Sequence, residues 1–111
     1  MKKPVWIPKE VVVVTHELLL AEHGGKPGLP DEALLNPALA SPKKLLSYGN
    51  PDIYALAAAY VFGINRNHPF LDGNKRTAFM LGFGFLCQNG KLLDAPEPQA
   101  VQMILDLAEK K

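Results

Sequence analysis

Apolar residues at Val11, Val14, Leu18 and Ala21 recur at intervals of three and four, the period of one helical face. The run Val11 to Val14 is β-branched and by itself favours a strand. The opening Pro8-Lys9-Glu10 and the closing Gly24-Gly25 nevertheless bracket a helix, because proline suits the first helical position and glycine the exit. Gly24 to Pro30 then packs three glycines and two prolines into seven positions, which predicts a surface loop. Asp31 can cap a short helix through Leu34, Leu35 and Leu39, with Pro37 marking a new turn. Ser41-Pro42 offers a second cap, for a short basic helix, and Ser47 to Pro51 reads as a turn.

From Asp52 a long helix is predicted, with Ile53, Leu56, Ala57, Tyr60, Val61 and Ile64 on one wide apolar face and Ala57 to Ala59 allowing close packing. This helix is expected at the centre of the fold. A polar stretch, His68 to Thr77, leads into an apolar helix from Ala78 to Leu86, with Phe79, Phe83 and Leu86 at helical spacing and Asn89-Gly90 as its exit. Phe79, Met80 and Phe83 are expected in the core, and Gly82 and Gly84 at a close backbone contact. A last helix is predicted from about Pro98 to Glu109. With no repeat and no alternating strand pattern, the expected class is all-α, a compact helical bundle around a central buried helix.

Composition narrows the function without naming it. At 111 residues, with 48% hydrophobic and 21% charged positions, the chain is expected to be one globular domain, 1–111. A net charge of +1 gives no basic stripe for duplex nucleic acid. The single cysteine, Cys87, allows no internal disulfide, reads as a small buried hydrophobe and suits a reducing cytoplasm. Prolines and charges at Pro4, Pro8, Lys9 and Glu10 break any signal-peptide core, and no apolar run is long enough to cross a bilayer.

The chemistry concentrates in His68-Pro69-Phe70-Leu71-Asp72-Gly73-Asn74-Lys75-Arg76-Thr77. A loop ending at a helix N-terminus offers backbone N–H groups and the positive end of the helix dipole, so the amides near Gly73, Asn74 and Lys75 can hold phosphates. Arg76 adds a planar fork for phosphate oxygens. Asp72 supplies a hard oxygen ligand for Mg2+. His68, as an imidazole, can take a proton from an attacking hydroxyl near neutral pH. Phe70 is expected to point inward and anchor the loop. Taken singly, Asp72 and Asn74 read equally as helix caps and His68 as a structural histidine. His16 and His23 read as solvated or core histidines, since no metal-ligand spacing surrounds them. Gly73 to Thr77 is no P-loop, because a strand and the first P-loop glycine are missing.

The nine residues His68 to Arg76 resemble the Fic/Doc signature of His, any, Phe, any, an acidic or similar residue, a small residue, Asn, Gly or Lys, and Arg. Gly24 to Asp31 and the helix from Tyr54 to Ile64 resemble the matching parts of death-on-curing proteins, so the resemblance spans nearly the whole chain. It implies a compact helical fold, ATP with Mg2+, and a Ser, Thr or Tyr hydroxyl on a target protein. By position it implies His68 as base, Phe70 as anchor, Asp72 as Mg2+ ligand, and Gly73, Asn74, Lys75 and Arg76 as phosphate cradle. Lys26 falls in the loop that aligns the target in such proteins.

Adenylylating members of that family usually carry glycine where Lys75 stands and a second arginine where Phe79 stands. Both departures favour the Doc branch, in which the terminal phosphate is transferred, here to a target resembling a translation elongation factor, with growth arrest. The alternatives are an AMP transferase on the same fold and an inert module that only binds an antitoxin. The inhibitory pattern of Ser or Thr, three residues, Glu, then Gly or Asn is missing from this sequence. Inhibition by a separate antitoxin docking in an exposed apolar groove is therefore expected. Lys111 ends the chain before the last helix of longer Doc-like proteins.

Overall fold

The structure, a computed structural model, describes residues 3–91. These form helices α1 (Lys9–His23), α2 (Glu32–Tyr48), α3 (Ile53–Asn67) and α4 (Asn74–Gln88), with no strand among the described residues. The fold is all-α, as the absence of any period-two pattern implies. The helix predicted from Pro98 to Glu109 lies outside the described residues.

Two aspartates start two of the helices. Asp31 accepts a hydrogen bond from the Ala33 N–H at 3.0 Å, and Asp52 accepts one from the Ala55 N–H at 2.8 Å, each satisfying a first-turn donor that has no carbonyl behind it. α3 lies between α2 and α4, and α1 packs on α4. The predicted inward face of α3 is the observed one: Leu56, Ala57, Tyr60, Val61 and Ile64 are all buried. Gly63 makes the α2/α3 contact possible. A methyl group there would sit 3.1 Å from the Ala38 Cα and from its carbonyl oxygen.

Trp6 stacks on Phe85 with ring centroids 5.8 Å apart, and the Ile7 N–H donates to the Tyr60 hydroxyl at 3.2 Å. The Asn89 side chain, at the exit of α4, bonds both the N–H and the carbonyl of Val5. The segment ahead of α1 is thus laid across the core. Burying each large side chain, such as Leu56 or Phe85, stabilises the fold by roughly 1.5–3 kcal/mol.

Five expectations are corrected. α2 is one helix running through Pro37 and Pro42, where a break was expected. Packing against α3 holds it together: Leu35, Ala38 and Pro42 are buried, and the Leu34 carbonyl, one turn ahead of Pro37, accepts from the Asn67 side chain at 3.0 Å. On α1, the buried residues are Val12 and His16, whereas Val11, Val14 and Leu18 are exposed. Four consecutive valines leave the phase of the helix undetermined, and tertiary contact chose the other face.

On α4 the core face is Thr77, Ala78, Leu81, Phe85 and Leu86. Phe79 and Phe83 are half-buried and pack edge to face at 4.6 Å, while Met80 is exposed. Cys87 is exposed instead of buried. Gly82 is buried, but a methyl on Gly84 would meet nothing within 4 Å among the described residues, so no close contact explains that glycine.

Candidate functional site

The polar loop joins the C-terminus of α3 to the N-terminus of α4, the two helices that share the largest interface. His68 caps α3 in the left-handed region, with φ 49 and ψ 58, and its N–H donates to the Ile64 carbonyl at 3.0 Å. Such a backbone costs a residue with a Cβ of the order of 1 kcal/mol. It turns the chain sharply off α3 and leaves the imidazole exposed. Gly73 reverses the chain again with φ 79, a conformation in which glycine is unstrained, and α4 begins at the next residue.

Three neighbours hold the loop between these turns. Phe70 is buried, its ring stacked on that of His16 at 3.8 Å between centroids and 12° between planes. The Pro69 carbonyl accepts from the Asp31 N–H at 2.7 Å, which ties the loop to the start of α2. Inside the loop, the Asn74 carboxamide grips Phe70 from both sides. Its Oδ1 accepts from the Phe70 N–H at 2.9 Å, and its Nδ2 donates to the Phe70 carbonyl at 2.8 Å.

These two bonds fix which way the Asn74 amide faces, and its Nδ2 meets His68 Nδ1 at 3.4 Å. That contact is too long to be a strong hydrogen bond, so it positions the imidazole without locking its tautomer. The buried Asn74 side chain is committed to the loop. Its expected contact with phosphate is through the backbone N–H, which this leaves in place.

Asp72 lies at the outer edge. Its Oδ2 accepts from the Lys26 N–H at 3.1 Å and its Oδ1 from the Gly73 N–H at 2.9 Å. Together these bonds hold the carboxyl below the usual carboxylate range, with the Lys26 and Arg76 charges adding to the effect. The Gly73 N–H is thereby directed at a carboxylate. Lys26 joins the site through its backbone, as a link between the 24–30 loop and Asp72.

His68, Leu71, Asp72, Gly73, Asn74, Lys75 and Arg76 line one open concavity of about 420 Å3. The opening turn of α4 faces it, and helix N-termini favour anions through their unbonded N–H groups and their dipole. Lys75 and Arg76 are exposed on that turn. A carboxylate carries about four lone-pair sites, and two N–H donors leave Asp72 capacity for a hard cation. The donor set fits Mg2+, which takes one or two protein carboxylates beside phosphate oxygens.

Of the residues given a role at the site from the sequence, all but Phe70 and Lys26 line this concavity, and those two support it from behind and from the side. His16 is the residue sequence reasoning missed. Of its two readings, solvated or core, the structure shows the core one, and adds a bond from its Nε2 to the Asp72 carbonyl at 2.7 Å. The available signal was its place four residues after Val12, on what became the inward face.

The sequence model of the Fic/DOC family matches residues 6–86. The chain is 30% identical over 93 residues to the protein named protein kinase doc of Escherichia phage P1, a match covering 82% of this chain and 74% of that one. It is 40% identical over 75 residues to the protein named toxin Doc of Mycolicibacterium smegmatis, covering 65% and 57% respectively. A family match across the core helices and the whole loop, together with these relatives, establishes that the chain belongs to the Fic/DOC family.

Proposed function

We propose that this chain is the toxin of a toxin–antitoxin pair and transfers the terminal phosphate of ATP to a hydroxyl on a target protein. The observation that carries the reading is the shared concavity: an exposed imidazole, a carboxylate and two cations around the first turn of a helix. The name of the phage relative, a protein kinase, supports phosphate transfer, and the name of the second relative supports a toxin.

In this reading the α4 N-terminus and the Arg76 guanidinium bind the phosphates, and Asp72 is the residue that holds Mg2+. The chemistry Mg2+ supplies when bound is neutralisation of charge on the phosphate oxygens. His68 takes the proton of the target hydroxyl. The hydroxyl oxygen bonds the γ-phosphorus, the bond to the β,γ-bridging oxygen breaks, and ADP leaves with that electron pair. Lys75, in place of the glycine of adenylylating relatives, favours transfer of the terminal phosphate over transfer of AMP.

Val11, Val14 and Leu18 form an exposed apolar stripe on α1, the kind of surface an antitoxin segment would cover. The target is proposed to be a translation elongation factor or similar, and the site of action the cytoplasm. No helix among the described residues is long and apolar enough to cross a membrane.

The test is label transfer in an extract of growing cells. ATP labelled at the γ-phosphate should mark a protein, ATP labelled at the α-phosphate should not, and His68→Ala should abolish the label. Transfer from the α-phosphate would replace the kinase reading with AMP transfer. Growth arrest by both wild type and His68→Ala, without label, would leave only a binding module.

A further inference from the structure

We propose that His16, a residue of α1 outside the signature loop, is a positioning residue of the phosphate site: it sets the orientation of the Asp72–Gly73 peptide and, through it, of the Asp72 carboxylate. The inference rests on the nucleotide-binding role of that loop proposed above.

His16 is 1% exposed, and its Nε2 lies 2.7 Å from the Asp72 carbonyl oxygen. A carbonyl only accepts, so Nε2 carries the hydrogen in this contact. A peptide unit is planar and trans, so its C=O and N–H point in opposite directions. Pulling the Asp72 carbonyl inward to His16 turns the Gly73 N–H outward, where it donates to Asp72 Oδ1 at 2.9 Å. The other oxygen of the same carboxylate accepts from the Lys26 N–H at 3.1 Å. One buried imidazole thus sets the peptide that holds the carboxylate bridging two loops.

The same ring stacks on Phe70 with centroids 3.8 Å apart, so it supports the loop at two points, Phe70 and Asp72, two residues apart. Gly73 closes against it as well. A methyl on Gly73 would lie 3.6 Å from His16 Cδ2 and 3.3 Å from Leu20 Cδ2, so the α1 turn from His16 to Leu20 is the surface on which the start of α4 is seated. Burial of a histidine in an otherwise apolar face needs a partner for its ring N–H, and the loop carbonyl is that partner.

Two substitutions separate donor from shape. His16→Phe keeps an aromatic ring against Phe70 and removes the donor, whereas His16→Gln keeps an N–H near the position of Nε2 and removes the ring. For each, the full chain is examined by thermal melting, by amide hydrogen exchange at Phe70, Gly73, Leu81 and Phe85, and by calorimetry with Mg-ATP. His16→Phe should speed exchange at Phe70 and Gly73 about tenfold, the consequence of losing one buried hydrogen bond, and leave Leu81 and Phe85 unchanged. Its Mg-ATP affinity should fall about tenfold on the same grounds, and His16→Gln should recover most of both losses.

Wild-type exchange and affinity in His16→Phe would overturn the proposal. So would equal losses in both variants, or failure of both to fold, because His16 would then serve only shape or the core. If wild type itself binds no Mg-ATP, the proposed function falls, while the exchange arm still decides whether His16 orders the loop.

Discussion

The Asn74 carboxamide and the Phe70 backbone form a closed pair of hydrogen bonds, with Oδ1 accepting at 2.9 Å and Nδ2 donating at 2.8 Å. This clasp draws the first residue of α4 back over the loop and sets Nδ2 3.4 Å from His68 Nδ1. Asn74→Ala removes both partners and leaves two backbone groups of Phe70 without theirs. At about 1–1.5 kcal/mol for each buried bond, the variant should lose roughly 2–3 kcal/mol of stability, read as a lower urea midpoint at unchanged slope. A loss below about 0.5 kcal/mol would mean that the clasp is replaced by water at little cost.

The link from Asp72 to Lys26 should respond to acid. Donation from the Lys26 and Gly73 N–H groups lowers the folded-state carboxyl pKa below its unfolded value. The tie is therefore fully present above the unfolded pKa and is lost as pH falls through the folded one. The Lys26 and Gly73 amide proton shifts should stay constant from neutral pH down towards the ordinary carboxylate range and move with a midpoint below that range. A midpoint at or above the ordinary carboxylate range would show that the bonds do not persist in solution.

Two glycines should respond in opposite directions to the same change. At Gly63 an added methyl would press on the Ala38 backbone at 3.1 Å, so Gly63→Ala should cost about 1–3 kcal/mol by overpacking α2 against α3. At Gly84 nothing stands within 4 Å among the described residues, and Gly84→Ala should add about 0.5–1 kcal/mol through helix propensity. Thermal melting of the two variants checks both signs at once.

Exchanging Lys75 for glycine tests the choice between the two transfer reactions. If a side chain at this position orients the nucleotide, Lys75→Gly should shift label from the γ- towards the α-phosphate of ATP in an extract. Unchanged γ-transfer would mean that orientation is set elsewhere, for example by Arg76.

The helices and the signature loop were legible because their signals are local. Asp31 and Asp52 announce their caps, and α3 shows its inward face because alanines and larger apolar residues alternate with the helical period. His68 to Arg76 are contiguous, so their meeting in one concavity follows from a single turn between two helices. What the chain concealed was the phase of α1 and α4. The run Val11 to Val14 offers apolar residues on every side, and in α4 aromatic residues at 79 and 83 compete with the smaller Thr77, Ala78 and Leu81 for the inward face. Only packing against another helix resolves such ties.

The continuity of α2 was hidden for a related reason. Local rules penalise Pro37 and Pro42 inside a helix, and the burial of Leu35, Ala38 and Pro42 against α3 outweighs that penalty. The bond from His16 to the Asp72 carbonyl joins residues 56 positions apart and could not be read from spacing.

The central claim is that the first turn of α4 is a nucleotide triphosphate site, and calorimetric titration of the full chain with Mg-ATP tests it most directly. Wild type should give saturable heat. Arg76→Ala should bind at least about tenfold more weakly, because a charge-assisted bond contributes about 1.5–3 kcal/mol, and His68→Ala should bind nearly as wild type. Absence of heat for wild type at millimolar nucleotide, or equal affinity for wild type and Arg76→Ala, would contradict the account.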